Sequence, residues 1–150
     1  MKHSDAIMAL VVLAGLSVVG AQAVRAEDRL SVPLPDISAL SESEAEALTR
    51  ELAEVNVITS NCPDYEVSDG AWTLMTGTSD LLAAKLGMDP GDYDRAYYGP
   101  AFALLDDPSS CGRIGPKAES LIDRLVSMGG ATEPATADTA AAAAAEPAGN

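Results

Sequence analysis

Two widely separated cysteines constrain the fold of this chain more than any other feature. Cys62 lies in the segment TSNCPDYEVSDGAW, Cys111 lies in DDPSSCGRIGP, and the chain has no other cysteine. An even number of cysteines in an oxidising compartment predicts a disulfide, which would join parts of the chain that are distant in sequence. The pairing therefore depends on where the protein folds.

The start of the chain indicates that compartment. A short basic beginning precedes the apolar run AIMALVVLAGLSVVG and the small-residue sites AQA and VRA, which is the order of a secretory signal peptide. The run is shorter than the roughly 20 residues that span a bilayer as a helix. We therefore predict a signal peptide over residues 1 to 26, cleaved after Ala26 or alternatively after Ala23. The mature protein is expected to be periplasmic or secreted, free of the membrane, and closed by a Cys62 to Cys111 disulfide.

The residues that would remain after cleavage exclude several kinds of chemistry. His3 is the only histidine and lies in the predicted signal peptide. Without histidine the mature chain cannot build a Ser-His-Asp triad, a Cys-His pair, or a His-ligated zinc or haem site. The chain carries 23 acidic against 9 basic side chains, a balance that argues against nucleic acid and anionic lipid as partners. No cofactor is predicted.

The rest of the chain divides into one domain and a tail. We predict an all-α domain over residues 27 to 130, a small bundle of about four to five helices closed by one disulfide. Two prolines in EDRLSVPLPDISAL predict an extended N-terminal arm over residues 27 to 40. Residues 131 to 150 lack large apolar side chains and predict a disordered tail rich in alanine, proline and threonine.

Capping signals and apolar spacing predict the first two helices. Ser41 and Glu44 have the spacing of a capping box, and the apolar stripe that follows reaches Cys62. The second helix is predicted to begin at Ser68 or Asp69 and to end at Gly87. The predicted buried face of the first helix comprises Ala45, Leu48, Leu52, Val55 and Ile58. The predicted buried face of the second comprises Ala71, Leu74, Met75, Thr78, Leu81, Leu82 and Leu86.

Proline positions predict the remaining helices. Asp89 as cap and Pro90 at the first helical position predict the start of a third helix, whose axis is expected to break at Gly99 and Pro100. A last helix is expected after CGRIGP, with Cys111 in the loop before it. The inward-facing residues of this last helix are predicted to be Ala118, Leu121, Ile122, Leu125 and Met128.

Four aromatic residues form the candidate partner-binding patch, namely Trp72, Tyr93, Tyr97 and Tyr98. Exposed together, they would suit a binding surface, because tryptophan and tyrosine dominate interface hot spots. The alternative is that Trp72 lies at the edge of the core and that the tyrosines pack between helices with their hydroxyls at the surface.

No catalytic or metal-binding residue is predicted. The segment DPGDYD offers Asp89, Asp92 and Asp94 but lacks the ligand order of an EF-hand loop, and helix capping accounts for the first two. The cysteines lack the Cys-x-x-Cys spacing of redox enzymes. A carboxyl pair could cleave glycosidic bonds, yet the sequence marks no particular pair.

The motifs NCPDY, DGAW, YYGPAFALLDDP, CGRIGP and LIDRLVSMGG, together with a signal peptide, resemble an uncharacterised family of small exported proteins of alphaproteobacteria. This resemblance to a domain of unknown function extends over residues 35 to 130. It implies compartment and fold but no activity. The layout alone is similar to that of the periplasmic acid-stress chaperones, which are small helical proteins closed by one disulfide, although this chain is more acidic and lacks their lysine-rich end.

These observations predict a non-enzymatic periplasmic module that binds another envelope protein or has a structural role. Two alternatives remain, an acid-stress type chaperone and a carboxylate-dependent envelope enzyme. An exposed patch of Trp72 and the tyrosines would favour the binding module. A buried carboxyl pair inside a cleft would favour the enzyme.

Overall fold

The computed structural model describes residues 31 to 135 of the chain. The predicted signal peptide, residues 27 to 30 of the predicted arm and residues 136 to 150 of the predicted tail lie outside the described residues. The described residues form an all-α bundle without strands, closed by one disulfide, so the predicted fold class is confirmed.

Two long helices and a series of shorter ones make up the bundle. The helices are α1 (Glu42–Asn61), α2 (Asp69–Lys85), α3 (Pro90–Tyr93), α4 (Gly99–Ala103), α5 (Ser110–Ile114) and α6 (Lys117–Ser127). A 3-10 turn at Pro63–Tyr65 links α1 to α2, a π-helical turn at Asp94–Tyr98 joins α3 to α4, and a second 3-10 turn follows at Leu104–Asp106.

Helix α1 is the central element of the bundle and contacts α2, α4, α5 and α6. Its predicted capping box is confirmed, since the Ser41 backbone N–H donates to the Glu44 carboxylate at 2.8 Å and the Glu44 N–H donates to the Ser41 hydroxyl. The predicted apolar stripe is buried, and Ala53 and Val57 form a second buried face. A helix that is buried on two sides organises both hydrophobic clusters of the domain.

Helix α2 begins and ends where predicted, with one difference in its buried face. Ser68 caps its N-terminus by accepting from the Ala71 N–H at 3.2 Å, and Gly87 has a positive φ of 65° just beyond its end. Leu81, predicted to be buried, is instead exposed. Successive helical residues are about 100° apart, so Leu81 lies more than a quarter-turn from the buried Leu82.

The predicted break at Gly99 and Pro100 does not occur. The chain continues from α3 through the π-helical turn into α4. Proline has no N–H and its ring clashes with the carbonyl four residues earlier in an α-helix. The wider π-helical turn accommodates this, because the Gly99 N–H donates to the Asp94 carbonyl, five residues earlier.

The disulfide joins the C-terminal end of α1 to α5. The Cα atoms of Cys62 and Cys111 are 5.9 Å apart, and the predicted bond is confirmed. The expectation that Cys111 lies in a loop is wrong, since Cys111 belongs to the short helix α5. Asp107 precedes α5 and accepts the Ser109 N–H at 3.0 Å, which is a local signal for a turn. The two glycines of CGRIG favour a loop instead, so the short helix is not evident from the sequence.

The extended segment before α1 lies across α2 and the end of α6. Its Asp36 N–H donates to the Met128 carbonyl at 2.9 Å, and its Pro33 carbonyl accepts the Ala131 N–H at 3.0 Å. Leu34 rests on Gly77, where a side chain on α2 would collide with it. Gly77 therefore makes room for the arm, and α2 continues past it as an unbroken helix.

Candidate functional site

The three tyrosines of the predicted patch form a cluster that belongs mainly to the core. Tyr93 and Tyr97 are buried against Ala53 and Val57 of α1, while Tyr98 is partly exposed. The Tyr93 ring centroid lies 5.5 Å from that of Tyr97 and 5.3 Å from that of Tyr98. The packing matches the alternative of rings between helices, so two of the three tyrosines present little surface to a partner.

The position of the Tyr93 hydroxyl differs from that alternative, which places the tyrosine hydroxyls at the surface. It is buried and, among residues 31 to 135, has no partner in hydrogen-bond geometry, since the neighbouring Ser79 hydroxyl donates to the Met75 carbonyl at 3.0 Å instead. Burial raises the pKa of both Tyr93 and Tyr98, because a low-dielectric environment disfavours the charged phenolate.

Trp72 lies apart from the tyrosines. Its side chain on α2 is 47% exposed, more than a position at the edge of the core would leave open. Within the described part of the chain it stacks on no other aromatic ring and shares no depression with Tyr93, Tyr97 or Tyr98. The four aromatic residues therefore do not form one surface, and Trp72 is the only exposed one of these four.

A surface groove of about 440 Å³ lies between the α1–α2 connection and α6. Apolar and aromatic side chains dominate its floor and walls, which we define by Tyr65, Val67, Ala71, Gly115, Ala118 and Ile122. This volume lies within the range typical of binding pockets. The groove is therefore the candidate binding site of the domain.

Local sequence signals position the groove walls. Pro63 begins the 3-10 turn directly after Cys62, and this turn places Tyr65 over the start of α6. On the opposite wall, residue 115 must be glycine to leave room for the Tyr65 ring, since a Cβ atom at this position would overlap the ring. The disulfide holds these two walls beside each other, since Cys62 lies one helical turn before Tyr65 and Cys111 lies one turn before Gly115.

The rim of the groove is acidic. Glu66 on one wall and Glu119 and Asp123 on α6 line it, and no lysine or arginine among the described residues does. All three side chains are exposed, and none forms an ion pair with another residue between 31 and 135. The groove therefore combines an apolar floor with unneutralised negative charge.

A second depression lies beside the groove and next to Trp72. It is lined by Thr59, Ser60, Asp69 and Trp72, and it shares Glu66 and Val67 with the groove. The two depressions adjoin along the Glu66–Val67 segment, and we call them together the groove–Trp72 surface. Two adjoining depressions, the second with an exposed tryptophan, suit an extended peptide segment better than a compact ligand.

The other carboxylates have structural explanations. The pKa of Asp89 is lowered by the Asp92 N–H that it accepts at 2.9 Å, and the pKa of Asp107 is lowered by the Ser109 N–H. No carboxyl side chain is buried among residues 31 to 135. That range also contains no cluster of three potential metal ligands, and none of its helices is long and apolar enough to cross a bilayer.

The fold and the groove together define a small disulfide-closed helical domain with an acidic-rimmed surface groove. No family model, curated protein or solved structure matches the chain. The function is therefore argued from the groove itself.

Sequence reasoning identified Trp72 but missed the groove. Most of its walls come from two segments that are far apart in sequence, residues 65 to 71 and residues 115 to 123. The predicted disulfide was the one signal that could have placed Tyr65 near Gly115. Ile122 packs against the core, as its place on the inward face predicts, while its exposed part lines the groove, which the helical pattern does not indicate.

Proposed function

We propose that the protein is a non-enzymatic periplasmic module that binds a segment of another envelope protein on the groove–Trp72 surface. The observation that carries this proposal is the exposure of Trp72 in a depression that adjoins the apolar-floored groove. Tryptophan is the residue most enriched in interface hot spots. Export and membrane-free localisation follow from the predicted signal peptide.

Site-specific photo-crosslinking tests this proposal in cells that produce the full chain. A benzoylphenylalanine placed at Trp72 should yield a discrete crosslinked product with one envelope protein. The matched control is the same group at Phe102, which is 52% exposed on α4 and lies outside the groove. The proposal predicts a product at position 72 and none at position 102, with the partner identified by mass spectrometry.

A pair of substitutions on α6 links the product to the groove. Ile122→Asp places a charge on the groove floor, whereas Val126→Asp changes an exposed apolar residue one turn further along the same helix. We expect the first to abolish the crosslink and the second to leave it unchanged, with both variants retaining their helical circular-dichroism spectrum.

Three results would contradict the proposal. Crosslinking of equal strength at positions 72 and 102 would show that the groove–Trp72 surface is not the binding site. The absence of a product at both positions would show that the protein has no such partner. A broad set of unrelated products, increased by acid, would instead favour the acid-stress chaperone.

A further inference from the structure

The structure points to the chemistry of the bound segment, an inference that rests on the proposed function. We infer that the groove–Trp72 surface binds a protein segment in which apolar side chains alternate with lysine or arginine. Two properties of the surface carry this inference, the arrangement of its carboxylates and its apolar floor.

Two of the rim carboxylates are adjacent on α6. Glu119 and Asp123 are four residues apart on one face of the helix, and like charges at this spacing destabilise a helix. Neither basic residue of α6 forms an ion pair with them within residues 31 to 135, since Arg124 donates to Glu51 at 2.6 Å and Lys117 forms no ion pair in that range. Glu119 is in the first turn of α6, where the helix dipole favours it, but Asp123 lies a turn beyond. A cation bound between Glu119 and Asp123 would therefore reduce the electrostatic repulsion between these two carboxylates.

The other arginines that form ion pairs also bind carboxylates outside the groove. Within the described residues, Arg95 pairs with Asp92, and Arg113 lies 3.8 Å from Asp107. Glu66 and Asp69 extend the negative charge from the groove towards Trp72. A segment that carries cations along its length would meet carboxylates at both ends of this surface.

The apolar floor restricts the partner further. Val67, Ala71 and Ile122 offer no charge, and Tyr65 and Trp72 supply aromatic surface at either end. A polycation without apolar side chains would leave this floor in contact with water and lose most of the hydrophobic gain. The combination selects a basic segment that is also apolar.

The chain itself does not supply such a segment. Residues 136 to 150 contain Asp138 and Glu146 and no lysine or arginine, and residues 27 to 30 hold the single Arg29 beside Glu27 and Asp28. A second copy of the chain carries the same formal net charge of −14, so electrostatic repulsion opposes self-association through an acidic rim. Charge complementarity therefore assigns the groove to a different, basic protein.

Peptide binding to the full mature chain tests this inference. The probes are a Lys-Leu repeat peptide, a Glu-Leu repeat peptide and a Lys-Ser repeat peptide of equal length. Trp72, the only tryptophan, reports binding through its fluorescence, and isothermal titration calorimetry gives the affinity. We expect the Lys-Leu peptide to bind about tenfold more tightly than either of the others, with an affinity that falls as salt is added.

Matched charge variants locate the effect. The triple variant E66Q/E119Q/D123N should weaken Lys-Leu binding about tenfold, because three modest charge contacts are lost together. The control E42Q/E46Q/D106N removes the same number of exposed carboxylates outside the groove and should change the affinity by less than about twofold.

Equal binding of the Lys-Leu and Glu-Leu peptides, or equal losses in the two triple variants, would overturn the inference. Peptide-induced dimerisation or self-association, seen by analytical ultracentrifugation and lost in E66Q/E119Q/D123N, would also overturn it by making a second copy the occupant. A discrete Trp72 crosslink combined with no preference for the Lys-Leu peptide would sink only the assigned chemistry and leave the proposed function standing.

Discussion

The ring of Tyr65 lies directly on Gly115, so the two chain segments joined by the disulfide also pack against each other beside the groove. A Cβ atom on Gly115 would overlap this ring and would stand 2.7 Å from the Cys111 carbonyl oxygen. Gly115 has helical backbone angles, φ −50° and ψ −45°. Glycine is therefore needed here for space, and its conformational freedom is not used.

Replacing Gly115 with alanine should destabilise the domain by about 1 to 3 kcal/mol, the usual cost of forcing atoms into a packed site. The control is Gly112→Ala on the same short helix, where the nearest atom to the new Cβ is the Tyr65 hydroxyl at 3.8 Å. Alanine is favoured over glycine in a helix by about 1 kcal/mol, so this control should be neutral or stabilising. Urea unfolding measures both, and equal effects would refute the packing explanation.

Reduction of the disulfide should lower the free energy of unfolding substantially. The bond closes a sequence separation of 49 residues, and the chain-entropy estimate for such a loop is about 4 kcal/mol. Guanidinium unfolding with and without dithiothreitol measures the difference. The same reduction should weaken binding of the Lys-Leu peptide, because the bond holds Tyr65 and Gly115 together. A loss of stability below about 1 kcal/mol would show that packing alone fixes these segments.

Local signals made most of the helices predictable from the sequence. The Ser41 and Glu44 capping box, the Ser68 cap and Pro90 each act within a few residues, and all were found where expected. The disulfide was also predictable, because two cysteines allow only one intramolecular pairing.

Long-range packing explains what the sequence did not reveal. The second buried face of α1 uses the small Ala53 and Val57, which gain their role only when the tyrosine cluster packs on them. The π-helical turn before Pro100 resolves a conflict between proline and helix that local rules read as a break. The groove arises where residues 65 to 71 meet residues 115 to 123, and no periodic pattern within either segment encodes it.

The carboxylate of the α1 capping box should contribute stability that depends on pH. Its hydrogen bonds with the Ser41 side chain and backbone lower the pKa of Glu44. A lowered folded-state pKa gives stability that is present above the unfolded value and lost as the pH falls through the folded value. We therefore expect the wild type to be more stable than Glu44→Gln near neutral pH, with the difference disappearing below about pH 4.

Urea unfolding at a series of pH values measures this difference. Glu46→Gln is the control, because Glu46 is exposed on the same helix and makes no capping hydrogen bond within the described residues. Comparison with a control also removes the general effect of relieving repulsion in an acidic chain. A Glu44→Gln penalty that persists unchanged at low pH would contradict the capping explanation.

The tyrosine cluster should make the domain sensitive to alkali. Burial raises the pKa of Tyr93 and Tyr98, so the stability that these neutral side chains contribute is intact below the unfolded pKa of about 10 and is lost as the pH rises further. In an ultraviolet titration, Tyr93 and Tyr98 should ionise at a higher pH in the folded protein than in urea.

Tyr93→Phe separates the hydroxyl from the ring. The Tyr93 hydroxyl is buried without a hydrogen-bond partner among residues 31 to 135, and an unsatisfied buried polar group costs about 1 to 3 kcal/mol. The phenylalanine variant keeps the ring contacts with Tyr97 and Tyr98, so it should be at least as stable as the wild type at neutral pH and more resistant to alkali. Thermal unfolding near neutral pH and above pH 10 measures both effects. A destabilised Tyr93→Phe variant would show that the hydroxyl is bonded in solution, and an unchanged alkaline transition would place the sensitivity elsewhere.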